Sequence, residues 1–128
     1  MSESKSLSLP KLDRILKNVT VESTALKLME EAGELGAAIS RLRGAAGIQT
    51  PPGATPQDLL REVALELLDV AQTAVTMMFV LEDEYGLDTR SVLAEHIEKL
   101  TRKGYLTPLP RQADPAGGQR DREPRGAL

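Results

Sequence analysis

The sequence predicts an all-α protein, and three observations carry that expectation. Apolar residues make up 41% of the 128 positions, enough for a real core in one domain but not two. Only Phe79, Tyr85 and Tyr105 are aromatic and Trp is absent, so that core must come from Leu, Val, Ile, Ala and Met, a set suited to close-packed helices. The apolar residues also recur at helical spacing between recognisable caps and breakers. The expected architecture is a bundle of four to five helices that oligomerises through its long apolar helix.

The elements follow in order. Residues 1–10 read as a flexible N-terminus. Between Pro10 and the turn-prone "NVTVES", the segment "KLDRILKN" places Leu12, Ile15 and Leu16 on one face and predicts a short first helix. A longer helix starts near Thr20 to Ser23, capped by one of those hydroxyls, and runs to about Arg43, where "GAAGIQTPPGATP" breaks it. Pro56, at a helix first turn, opens "QDLLREVALELLDVAQTAVTMMFVLEDEYG", and Gly86 stops it. The last helix takes Asp88 or Thr89 as cap, carries a Val92, Leu93, Ile97, Leu100 stripe and ends at Gly104. The helical domain so defined covers 11–106. The tail at 107–128 mixes Pro, Gly and charge with almost nothing apolar, so it cannot offset its ordering entropy and is expected to be disordered.

Composition excludes several classes of function. Without cysteine there is no disulfide, thiolate metal site or cysteine nucleophile. A net charge of −3 offers no basic footprint for nucleic acid. The first twenty residues lack an apolar stretch followed by a small-residue cleavage site, so a cytoplasmic location is expected. "VALELLDVAQTAVTMMFVL" at 63–81 has 14 apolar residues of 19 and raises the question of a membrane span. Each of its two acids would cost about 2.5 to 3.5 kcal/mol at mid-membrane, and no flanking cationic run compensates. A buried bundle helix, with no membrane partner, is the better reading.

The chemistry is carried by acids in apolar surroundings. In "LMEEAGEL", Leu28, Leu35 and Leu42 recur by sevens with Glu31 and Ala38 in the alternate seam positions, so Glu31 occupies a core position and Glu34 follows one turn on. In the long helix, Leu60, Val63, Leu67, Val70, Ala74, Met77 and Leu81 form a seam flanked on one face by Glu66 and Asp69. A Glu pair in one helix is ordinarily just a solvated face. Two acid pairs at i, i+3, both bordering apolar seams on helices able to pack antiparallel, point instead to a site. Ionised carboxylates gathered in a bundle repel and lose hydration unless a cation compensates. All-oxygen ligation without Cys or suitably spaced His selects a hard ion, Mg²⁺ or Mn²⁺, and Mg²⁺ keeps positions open for water and phosphates. His96 reads as an ordinary helix residue, and Met77 and Met78 as core filler.

These residues resemble those of the MazG-like all-α nucleoside triphosphate pyrophosphohydrolases. Their E-E-x-x-E followed by E-x-x-D stands here as Glu30, Glu31 and Glu34, then Glu66 and Asp69, within "LKLMEEAGELGAAI" and "EVALELLDVAQTAV". The likeness spans roughly residues 20 to 105. It implies Mg²⁺-dependent hydrolysis of a nucleoside triphosphate to the monophosphate and pyrophosphate in nucleotide-pool house-cleaning, with Glu31, Glu34, Glu66 and Asp69 as metal ligands and Glu30, Glu31 and Glu34 as catalytic acids. It further implies that Lys99, Arg102 and Lys103 contact phosphates, and that the chain forms a homodimer or a dimer of dimers. The 31 residues between Glu34 and Glu66 make a long gap for the family. Two alternatives share these features: a phosphoribosyl-ATP pyrophosphohydrolase, and a non-catalytic helical oligomerisation module.

Overall fold

The computed structural model describes residues 5–13, 19–44 and 50–108. Three helices, and no strand, occur among the described residues: α1 (Val21–Leu42), α2 (Pro56–Tyr85) and α3 (Thr89–Arg102). The expected short first helix lies largely outside them, since 14–18 are not described and 11–13 are not helical; of the four to five helices expected, three fall among the described residues. Of the expected disordered tail, 109–128 lie outside the described residues.

Local chemistry fixes each helix end. The hydroxyl of Thr20 accepts from the Ser23 amide at 3.0 Å while Ser23 Oγ accepts from the Thr20 amide at 2.8 Å, a reciprocal capping box that satisfies two otherwise orphaned donors. Thr55 and Asp58 repeat the device at the start of α2, ahead of Pro56, which has no amide to leave unsatisfied. At the other end of α2, Gly86 adopts φ 68° and ψ 26°, and its amide donates to Glu82 O. Gly104, at φ 80°, ends α3 similarly, with Tyr105 N donating to Leu100 O.

Residues 1–92 form one compact unit in which α1 packs on α2, antiparallel because Arg41 meets Glu62 while Glu31 and Glu34 meet Glu66. On α1 the buried residues are Thr24, Glu31 and Ala38, spaced by sevens, with Leu28, Leu35 and Leu42 half-buried beside them. On α2 the half-buried and buried line is Leu59, Val63, Glu66, Val70, Thr73, Met77 and Val80. It shares Val63, Val70 and Met77 with the expected seam, but Leu60, Leu67 and Ala74 are exposed and Glu66 lies within the line rather than beside it. Apolar residues nearly encircle this part of α2, so periodicity alone does not determine which arc meets α1.

Pro10 and Lys11 lie against the same helix. Gln72 Nε2 donates to Pro10 O at 2.9 Å, and Lys11 pairs with Asp83 at 3.4 Å while its ammonium stands 5.0 Å from the Phe79 ring centroid. Val80 is the one buried residue of this 30-residue helix, so α2 is not the fully buried element expected from its apolar composition. Length and composition alone would let α2 cross a membrane. Its surface includes exposed Leu60, Leu65, Leu67 and Leu68.

The second unit, residues 93–128, takes in α3 from Leu93 onward; no residue of that helix is buried, and Leu93 and Ile97 are exposed.

Gly86→Ala is expected to destabilise the fold by about 1 kcal/mol, because a Cβ at positive φ strains the backbone. Nothing lies within 4 Å of that Cβ position, so the cost is conformational rather than steric. Urea denaturation at matched protein concentration measures it, and an unchanged midpoint would show that the αL cap carries no weight.

Candidate metal centre

Burial of Glu31 follows from its register: it lies seven residues after Thr24 and seven before Ala38, the three positions of α1 turned under α2. Glu66 arrives from the opposite helix, four residues before Val70 in the α2 line. Glu34, one turn beyond Glu31, sits at the exposed edge. Each of these three glutamates offers an oxygen to a set whose members all lie within 4.8 Å of one another. Nine-tenths of the Glu31 side chain is covered, since its relative exposure is 9%. Glu31 Oε2 and Glu66 Oε2 are buried with no hydrogen-bond partner among the described residues.

Two buried carboxylate oxygens without donors are costly, by about 1 to 3 kcal/mol for a neutral group and more when charged. A neighbouring acid worsens that cost. Accordingly the adjacent Glu31 charge, followed by desolvation and then the Glu66 charge, holds the Glu34 carboxyl above its ordinary range, with a Glu31 hydrogen bond and the Glu30 charge adding. The positive charge closest at hand is Lys27, whose ammonium lies 2.9 Å from Glu31 Oε1 and 3.6 Å from Glu30 Oε1. Along the same helix pair, Glu62 on α2 forms an ion pair with Arg41 of α1. One acid of α2 therefore meets a guanidinium across the interface, while the next meets two more acids.

The donor set fits a hard divalent cation. All the ligands are oxygens, two of them are buried and unpaired, and oxygens sharing one Mg²⁺ at about 2.1 Å lie at most about 4.2 Å apart. A small side-chain adjustment gathers the observed trio that closely. Glu31, Glu34 and Glu66 are thus the sequence-predicted ligands that the fold brings together.

The remaining candidates are placed differently. Asp69 is exposed and outside the trio, and Glu30 is exposed and engaged with Lys27. Both are displaced by helical rotation: Glu30 stands about 100° round α1 from Glu31, and Asp69 about 60° round α2 from Glu66. Lys99 and Arg102 lie in the last turn of α3 and Lys103 just after it, all exposed, where cations complement the helix dipole. Sequence reasoning passed over Lys27, although its i, i+3 and i, i+4 spacing to Glu30 and Glu31 was there to be seen. It also passed over Arg41 and Glu62, whose pairing crosses between helices and leaves no mark in local spacing.

Fold and site together define a helical protein whose hairpin interface carries the donor set for a hard divalent ion. Residues 19–104 match the MazG nucleotide pyrophosphohydrolase domain, about two-thirds of the chain, and the protein belongs to that family. The family is one of nucleotide pyrophosphohydrolases, and enzymes of this type usually use divalent metals. No curated protein and no solved structure matches the chain.

The Glu34 environment sets a pH dependence. A carboxyl holding its proton more tightly in the folded than in the unfolded chain contributes stability that is full below the ordinary carboxylate range and lost as pH rises through the folded value. Asp58 has the opposite sign, because donation from the Thr55 amide and hydroxyl lowers it, but it is common to wild type and to Glu34→Gln. In chelator, the two proteins are therefore expected to melt alike at low pH, with Glu34→Gln becoming the more stable as pH rises toward neutrality. Parallel melting-temperature profiles across that range would contradict the crowding of the three acids.

Proposed function

We propose that the protein is a Mg²⁺-dependent nucleoside triphosphate pyrophosphohydrolase, converting a (d)NTP and water to the (d)NMP and pyrophosphate in a cytoplasmic nucleotide pool. The observation that carries this reading is the trio of Glu31, Glu34 and Glu66, with two buried unpaired oxygens, inside a matched MazG domain. Glu31 is the buried ligand and Glu66 the half-buried one, and Glu34 completes the set at the edge that water reaches. Asp69 is the proposed fourth ligand, free as an exposed side chain to turn toward the cluster.

When bound, the ion supplies charge neutralisation at the polyphosphate and acidifies a coordinated water. The chain's own groups do the rest. Glu34 faces solvent beside the cluster and is the carboxylate assigned to accept the water's proton. The reaction breaks the bridging P–O bond between the α and β phosphorus atoms, and the water oxygen supplies the new P–O bond. Lys99, Arg102 and Lys103 are the proposed phosphate contacts, and Glu30 acts from outside the ligand set.

A homo-oligomer, a dimer or dimer of dimers, is the proposed assembly. Leu60, Leu65, Leu67 and Leu68 are between 42% and 51% exposed, a concentration of large aliphatics on one helix suited to a second copy.

Incubation with a panel of nucleotides and Mg²⁺ is expected to release pyrophosphate and the nucleoside monophosphate; orthophosphate as the product would refute the reaction assigned. Glu31→Gln or Glu66→Gln should lower turnover at least about a hundredfold while the hairpin stays folded, since each removes charge from a repulsive cluster. Asp69→Asn should chiefly raise the Mg²⁺ concentration required, in keeping with its exposed position.

The assembly has its own test. Leu67→Glu is expected to shift sedimentation of the wild-type oligomer toward monomer. A wild-type chain that sediments as a monomer at micromolar concentration would remove the assembly proposal without touching the reaction.

A further inference from the structure

We propose that Lys27 is a displaceable counter-ion of the carboxylate cluster, and that Glu30 receives its ammonium when a divalent cation takes Glu31. The inference rests on the reading that Glu31, Glu34 and Glu66 bind such a cation, and it assigns work to two residues outside that trio.

Lys27 stands one turn before Glu31 on α1, so helix geometry alone keeps the two within reach. Its ammonium bridges both neighbours, at 2.9 Å from Glu31 Oε1 and 3.6 Å from Glu30 Oε1. The bridge is asymmetric in environment. Glu31 is 9% exposed, whereas Lys27 and Glu30 are 52% and 59% exposed. The ammonium is thus attached to a buried acid from the solvent side, with a second, water-facing acid already alongside.

A divalent cation at the trio and an ammonium on Glu31 compete for the same charge, and their mutual repulsion favours parting them. Lys27 can part at little cost, because its head is already hydrated and Glu30 keeps it paired. Had Glu30 been absent, the ammonium would have to stay near the ion or give up its pairing altogether. The helix therefore carries a two-position seat for one positive charge: the inner position steadies Glu31 when no divalent ion is present, and the outer one clears the cluster when an ion arrives.

Mn²⁺ titration of the full-length chain without nucleotide, followed by calorimetry or by the spin-resonance signal of free Mn²⁺, reads this directly. Lys27→Gln is expected to bind Mn²⁺ about two- to tenfold more tightly than wild type. Its melting temperature in chelator should fall, so that the metal-induced melting shift grows. Glu30→Gln is expected to bind Mn²⁺ more weakly, and that weakening should vanish in the Lys27→Gln background, because Glu30 acts only through the ammonium.

A Lys27→Gln affinity equal to or below wild type would overturn the proposal. So would a Glu30→Gln weakening of the same size with or without Lys27, since that is the signature of direct attraction between Glu30 and the ion. Failure of the wild-type chain to bind Mn²⁺ at all would overturn the metal reading, and this inference with it, whereas normal wild-type binding with no Lys27 effect would overturn this inference alone.

Discussion

Everything else in the structure depends on a helix pair closed over like charge. Glu31 of α1 and Glu66 of α2 meet at a level of the interface where a helical hairpin ordinarily places aliphatic side chains, and each keeps one buried oxygen without a donor. Such an arrangement opposes folding, since burying unpaired charge costs several kcal/mol per group after relaxation. The chain could have answered it from within. It does so for Glu62, one turn earlier on α2, which receives the guanidinium of Arg41. At the next turn α1 presents Glu31 and Glu34, and the cation beside them, Lys27, reaches only Glu31 Oε1 from the solvent side, leaving Glu31 Oε2 and Glu66 Oε2 without a donor among the described residues.

The hairpin is built to hold that confrontation in register. The capping boxes at Thr20 and Thr55 fix where each helix begins, and Thr24, Glu31 and Ala38 then follow under α2 at seven-residue intervals. The long connection between α1 and α2 lies at the Arg41–Glu62 end. Glu34 precedes the end of α1 by eight residues and Glu66 follows the start of α2 by ten, so the cluster sits about 12 to 15 Å along the helix axes from the loop. An unusually long loop can therefore vary without altering the spacing of the acids.

Helix boundaries were legible in the sequence because the chemistry that sets them is local. A threonine hydroxyl, a proline ring and a glycine at positive φ each act within a few residues, and all three helices begin and end within about two residues of the expected positions. Burial of Glu31 was legible for a related reason: on α1 Leu28, Leu35 and Leu42 recur by sevens beside Glu31 and Ala38, which favours that arc over the one where Leu26 and Met29 are exposed. α2 offers no such asymmetry. Leucines at 59, 60, 65, 67 and 68 surround it, and whether Leu67 or Glu66 turns inward is decided by what α1 presents. For the same reason Glu66 joined the trio while Asp69 fell outside it. The Arg41–Glu62 pair was invisible because it exists only after the helices meet.

Two demands then fall on different arcs of α2. Toward α1 it carries Glu66, and about 100 to 120° round the helix it exposes Leu67 and Leu60. The described apolar residues fully buried by the chain itself are Ala38 and Val80, too little to hold acid against acid by hydrophobic contact alone. A cation between the helices and a second copy across α2, both proposed above, would each favour the closed hairpin over any opened form. Ligands that prefer the same conformation stabilise one another's binding even without touching. Under those two proposals, ion binding and assembly would be two halves of one linkage, joined through the rigidity of α2.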